Sequence, residues 1–328
     1  VIPWFEDFTV GDDFSNVPAV TITEGFAAVH QAIFGDRLRL PLDHVLSEKV
    51  TGSRRPLVNP SLVCNLAIGQ STIPSQRVMG NLFYRGLILR RPVFVGDTLT
   101  TTTRVVALRQ NRIKEGRPAS GMVALEIHTK NQNEETVLLF WRCPMIPCRD
   151  ANANTGHADD FDVMPQDILM EDLLEAIPAW KFKPMATVPS LLTSGEKVEI
   201  EAQDTVTLAP ELVRLTQNLA MTHTDAGRSV YGKRLVYGGH TISMAAAQLS
   251  RAMPDLVTLL GWYHCDHTSP VFEGDVLRTS FTLLEQTPAN GARLLNLHVE
   301  VFANRGEQAP KRDDNVKVLD WKLAALAA

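Results

Sequence analysis

The chain has 328 residues, enough for two domains at roughly 150 residues each. Lys and Arg number 32 against 37 Asp and Glu, a formal charge of −5, and 45% hydrophobic residues exclude large-scale disorder. A mildly acidic chain without a basic run suits neither nucleic acid nor an anionic membrane, and no apolar run is long enough to span a bilayer.

FEDFTVGD (residues 5–12) stands near the start of the chain. TEGFAAVHQAIFGD (23–36) reads as a helix capped by Thr23 and ended by Gly35. NPSLVCNLAIG (59–69) predicts a second, with Asn59 as N-cap and Pro60 at the first helical position. PVFVGDTL (92–99) and the following TTTTRVVALRQ alternate apolar and polar residues as strands do, then comes LEIHTK (125–130), and the segment closes near Trp141. Residues 150–180 are rich in Asn, Asp and Gly before MEDLLEAIP and Trp180, a linker with one short helix. PELVRLTQNLAM (210–221) and GGHTISMAAAQLSRAM (238–253) are again helical. PVFEGDVL (270–277), LNLHVE (295–300) and Trp321 complete the series.

The two PVF octapeptides agree at six of eight positions and lie 270 − 92 = 178 residues apart. Helices precede strands in the same order in both halves, so the chain is a duplication. One helix wrapped by a long antiparallel sheet, twice over, is an α+β double hot-dog. The expected boundaries are 1–150, a linker at 151–180, and 181–328. His128 and His298 then occupy equivalent strand positions. His264 and His267 are three apart on a strand and face opposite sides, so no metal site is expected. Cys64, Cys143, Cys148 and Cys265 form no CxxC pair and read as reduced residues of a cytoplasmic protein. Self-association into a homodimer is expected, closed dimers being the commonest assemblies.

FEDFTVGD and the PVF-x-GD-x-L segments resemble the MaoC-like hydratase/dehydratase domains, which act on acyl-CoA thioesters. QNLAMTH (217–223) with RLVYGGHTIS (234–243) is most similar to the mesaconyl-CoA hydratases, also called methylmalyl-CoA dehydratases. In simpler relatives an Asp precedes a His by five residues; the matching positions here are Asn218 and His223. The resemblance implies that His223 handles the proton while Asn218, an amide that cannot exchange one near neutral pH, orients water. It also implies that Gly238 and Gly239, at the start of a helix with free N–H groups, bind the thioester oxygen as an oxyanion hole, with His240 a second polar contact or a plain cap. Arg234 is the candidate fork for a second carboxylate on the acyl chain, with Arg228 behind it.

In the first half Asp36 and His44 lie eight residues apart rather than five, and Asn59-Pro60 replaces His-Gly, removing an N–H donor. That half reads as non-catalytic and pocket-shaping, with Asp36 the rival catalytic residue. The expected activity is reversible hydration of an enoyl-CoA, with CoA part of the substrate and no other cofactor. A hot-dog thioesterase and a non-catalytic acyl-CoA or acyl-carrier binding protein are the alternatives.

Overall fold

The structure is a computed structural model describing residues 2–113, 116–185, 190, 192–305 and 315–328. In the first half β1 (Val20–Thr21), α1 (Glu24–Phe34), α2 (Arg39–Leu42), α3 (His44–Thr51) and α4 (Pro60–Gln70) precede β2 (Gly80–Leu89), β3 (Thr98–Gln110), β4 (Ser120–Lys130) and β5 (Thr136–Pro147). α5 (Met170–Ala176) lies in the linker. The second half holds β6 (Lys197–Glu199), β7 (Asp204–Thr205), α6 (Ala209–Leu215), α7 (Gly238–Ala252), β8 (Leu256–His267), β9 (Val276–Ala289), β10 (Ala292–Asn304) and β11 (Val316–Ala327).

One antiparallel sheet runs β1-β3-β4-β5-β2-β8-β11-β10-β9-β6, with β7 also paired to β9. The halves join at β2 and β8, from Phe83 opposite Asp266 to Ile88 opposite Gly261. Outward from that seam each half repeats the same strand order, which is pseudo-two-fold symmetry. Every residue of α4 and most of α7 is buried, so these helices lack the one-sided apolar stripe of a surface helix. They pack on each other, and Asn65 Nδ2 donates to Ser243 Oγ at 2.7 Å. These two side chains are 243 − 65 = 178 residues apart, so the repeat meets itself across its own axis.

The ladders refine the repeat. β3 and β9 each carry a bulge, at Val106 and Leu284, again 284 − 106 = 178 apart. Ala124 faces Ala107 and Asn296 faces Glu285, so β4 and β10 are offset by 296 − 124 = 172. His128, opposite Thr102, therefore matches Glu300, opposite Ser280, and not His298 as the sequence suggests. Trp321 likewise matches Phe140 rather than Trp141, since Phe140 faces Ile127 and Trp321 faces Val299. A one-residue slip reverses the face of a strand. Trp321 is accordingly fully buried in the main core, while Trp141 is half-buried on the other side.

Two further expectations are corrected. The PVF-x-GD segments are turns that launch strands, not strands. Gly96 and Gly274 take φ of 95° and 87°, where a side chain is strained. Asp97 and Asp275 each accept the N–H three residues back, from Phe94 and Phe272, at 2.8 Å. Helix α6 ends at Leu215 instead of reaching 221, because Gln217 turns into the left-handed region at φ 57°. Met221–His223 then forms a single 3-10 turn.

Candidate active site

A cavity of about 230 Å³ opens between the N-terminus of α7 and the C-terminal end of α4, floored by β2, β5 and β8. Of the residues singled out from sequence, Asn218, His223 and Gly238 line it. It also takes Tyr84 and Arg142 from the first half and His267 from the second, none of which the sequence reading placed there.

The loop after α6 positions Asn218. Its Oδ1 accepts the Ala220 N–H at 2.9 Å in a local turn, which leaves the amide Nδ2 as the donor available to a ligand. His223 ends the 3-10 turn, and its Nδ1–H donates to the Leu235 carbonyl at 2.8 Å, so Nε2 carries the lone pair. Burial lowers its pKa to about 4, against the opposing pull of that carbonyl. Burial therefore favours the neutral imidazole, which carries a lone pair on Nε2. Gly238 is the first residue of α7, so its N–H has no acceptor within the helix. A Cβ on Gly238 would lie 2.4 Å from His267 Nε2, so only glycine lets that ring and this backbone share the cavity wall. Burial likewise lowers His267 to about 4, and its Nε2 is enclosed without a partner among the described residues.

The other candidates lie elsewhere. Gly239 is part of the helix contact, not the cavity: a Cβ there would sit 2.0 Å from Asn65 Oδ1 and 2.7 Å from the Tyr237 ring. Gly239→Ala is accordingly expected to lower the unfolding free energy by ~1–3 kcal/mol through overpacking, read as a reduced urea midpoint. His240 faces away from the cavity, its Nε2 donating to the Thr207 carbonyl at 2.8 Å and its ring 4.9 Å from that of Phe34. It does not line this cavity and is not the N-cap of α7. Arg234 is outside as well, ion-paired to half-exposed Glu273 on the surface. A carboxylate 39 residues on already occupies the fork the sequence reading reserved for substrate.

The first half carries a counterpart of about 30 Å³. There Pro60 stands where the second half has Gly238, and Leu89 where it has His267. Pro178 and Trp180 of the linker help line this space. Asp36, the rival catalytic residue, is buried and consumed by structure: it accepts from the Leu38 N–H at 2.9 Å, Ser250 Oγ at 2.6 Å and Asn59 Nδ2 at 2.8 Å. His44 begins α3, away from both spaces. Arg228 lies in a 3-10 turn and also lines neither. On the outer face of the sheet His298, Glu300 and Asp320 bring ligand atoms within 4.8 Å of one another. Lys317 already sits among them, 2.7 Å from Glu300 and 2.5 Å from Asp320, while His264 approaches Asp320 at 3.3 Å. His264 and His267 thus do lie on opposite faces.

No family model matches the chain. Individual proteins do. It is 30% identical to a β-methylmalyl-CoA dehydratase of Chloroflexus aurantiacus, over 98% of this chain and 96% of that one. A mesaconyl-CoA hydratase of Cereibacter sphaeroides is 27% identical with the same coverage. Among solved structures, a conserved hypothetical protein of Mycobacterium tuberculosis with a double hot-dog fold superposes at a TM-score of 0.89, with 40% identity over 100% of this chain and 99% of that one. The architecture is the double hot-dog expected from the repeat, and the chain belongs to the two-repeat, MaoC-like family of CoA-thioester hydratases and dehydratases that includes β-methylmalyl-CoA dehydratase.

Proposed function

We propose that the chain catalyses reversible addition of water to the double bond of an enoyl-CoA thioester. The observation that carries this is the convergence, on one cavity, of an imidazole whose Nε2 has no partner among the described residues, an amide donor five residues before it, and a helix N-terminal N–H likewise without an acceptor among them. The thioester oxygen lies at the Gly238 N–H. Asn218 Nδ2 holds the water oxygen and His223 Nε2 accepts its proton as oxygen bonds to C3. The π electrons move to C2 and the thioester oxygen as an enolate, which the Gly238 N–H and the α7 dipole stabilise. The proton returns from His223 to C2, so one water adds and the histidine ends neutral. Dehydration is the reverse.

In this reading the C-terminal half carries the chemistry and the N-terminal half, through Tyr84 and Arg142, walls the pocket. CoA enters as part of the substrate and no other cofactor is needed. A dimer in the cytoplasm completes the reading, supported by four free, buried cysteines and by the frequency of closed dimers. Among the described residues no helix is long and apolar enough to cross a membrane. The test is incubation with crotonyl-CoA and mesaconyl-CoA, following enoyl absorbance and free thiol together. Loss of absorbance without thiol is expected. Thiol release would replace the reading with a thioesterase, and tight binding of both with neither change would replace it with a binding protein.

A further inference from the structure

Arg142 lies in the cavity wall on β5, at the register position that the second half fills with Leu323: Arg142 and Leu323 face Leu125 and Leu297, which are 297 − 125 = 172 apart. Its Nε donates to Ser71 Oγ at 2.9 Å, and Nη2 donates to the Ser71 carbonyl at 2.6 Å and to Ser75 Oγ at 2.9 Å. Those two serines are also peculiar to one half. The seam pairs Ile88 with Gly261 and Phe83 with Asp266, an offset of 266 − 88 = 178 that Asn65 and Ser243 share on the helices before it. The same offset sets Ser71 and Ser75 against Leu249 and Met253. A polar trio in one copy thus takes the place of the apolar trio Leu323, Leu249 and Met253 in the other, and none of the six is more than 2% exposed. A buried guanidinium met by two hydroxyls and a carbonyl is costly, and the other half packs the same place without one.

What the trio shapes is the end of α4. Ser71 is the C-cap of that helix, and the guanidinium takes up its carbonyl at the negative end of the helix dipole. α4 stops at Gln70, whereas α7 runs past Gln248, the counterpart of Gln70, to Ala252. The turn after α4 meets the loop that bears Asn218 and His223. Thr72 Oγ1 accepts the Leu219 N–H at 2.9 Å, and the Gln76 carbonyl accepts the Met221 N–H at 2.9 Å. The Thr216 carbonyl lies against Gly69, where a Cβ would be 1.9 Å from its oxygen. The first half thus fixes a loop of the second at three successive points. We propose that Arg142 is a positioning residue for the hydration: with Ser71 and Ser75 it sets the turn after α4, and that turn holds loop 216–223 so that Asn218 Nδ2 and His223 Nε2 meet on one water. This rests on the enoyl-CoA reading above and gives the first half a part in the chemistry beyond walling the pocket. The demand is steep, since misplacing a reacting group by about 1 Å can cost about 100-fold in rate.

The test separates positioning from stability by installing the other half's residues. A triple variant, Ser71→Leu, Ser75→Met and Arg142→Leu, exchanges the buried ion for the trio that already packs in the second half. Its urea midpoint is expected at or above that of wild type. Its kcat for crotonyl-CoA is nevertheless expected to fall about 10- to 100-fold, with KM changed less than kcat. Deuterium exchange in segment 216–223 should accelerate about 10-fold or more while the core strands keep their protection. Wild-type kcat, or wild-type exchange in 216–223, in a stably folded triple variant would make the two trios equivalent packing solutions and overturn the proposal. If the triple variant fails to fold, Arg142→Lys is read in its place, because it keeps the cation and loses the fork. It too should show lower kcat and faster exchange in 216–223, and wild-type values of both would overturn the proposal. A wild type that hydrates no enoyl-CoA would sink the hydratase reading, and the exchange measurement would then decide by itself whether Arg142 holds the loop.

Discussion

His223→Ala is expected to lower kcat for enoyl-CoA hydration by ~100-fold or more, the usual scale of a general acid–base contribution. The expectation rests on tautomer and exposure together. Nδ1 is committed to the Leu235 carbonyl, so the lone pair is on Nε2, and the residue lines the cavity. With a pKa lowered by burial to about 4, His223 stays in its base form over the neutral range. The acid limb of kcat/KM is therefore expected well below the 6.5 of an ordinary imidazole. Asn218→Ala should cost less than His223→Ala, since it removes only the donor that orients water. Asp36→Asn should leave kcat close to wild type while lowering stability, because its carboxylate ties Leu38, Asn59 and Ser250 together. Collapse of kcat in Asp36→Asn with an active His223→Ala would place the chemistry in the other half.

The architecture was legible because duplication writes itself twice. Thr23 and Gly35 bound α1, and Asn59 and Pro60 start α4, as their chemistry dictates. The octapeptide offset of 178 holds through the β3 and β9 bulges. Beyond that point strand lengths drift, and the offset falls to 172 on β4 and β10. Pairing His128 with His298 is therefore two residues out of register, and pairing Trp141 with Trp321 is one residue out. Arg142 was invisible for the same reason, since only the ladder shows it opposite the place of a leucine. His267 left a readable trace: three residues before the shared proline, one repeat has Leu89 and the other a histidine. An apolar position that turns polar in one copy marks a site. Arg234 misled because nearness in sequence to the helix start says nothing about Glu273, which reaches it from another loop.

Lowering the pH from 8 to 5 is expected to cost several kcal/mol of stability, because the fold encloses four neutral histidines. Burial lowers His223, His240 and His267 to about 4 and His30 to about 3, and neighbouring His240 lowers His30 further. The rings of His30 and His240 both contact that of Phe34, at 4.8 Å tilted and 4.9 Å edge-on, and each keeps a buried nitrogen without a partner among the described residues. The Thr207 carbonyl and Glu273 favour a charged His240 but do not outweigh its burial. In the unfolded chain each imidazole titrates near 6.5, so between that value and the folded pKa the unfolded state binds more protons. Stability from these groups is complete above pH 6.5 and drains as the pH falls towards 4. A shift of this size is worth about 2 kcal/mol per histidine at pH 5, so even two of them approach the lower end of the ~5–15 kcal/mol of a typical domain. Asp320, held down at about 2 by Lys317, His298 and His264 against the effect of burial, acts in a separate window, at still lower pH. Urea unfolding at pH 8, 6.5 and 5 reads the first window, and the midpoint should fall mainly across the last interval. His30→Leu should flatten that fall, since it removes one of the buried proton acceptors. A midpoint unchanged between pH 8 and 5 in wild type would mean that these histidines are hydrated or charged in the folded protein, and with that the neutral base assigned to His223 would lose its footing.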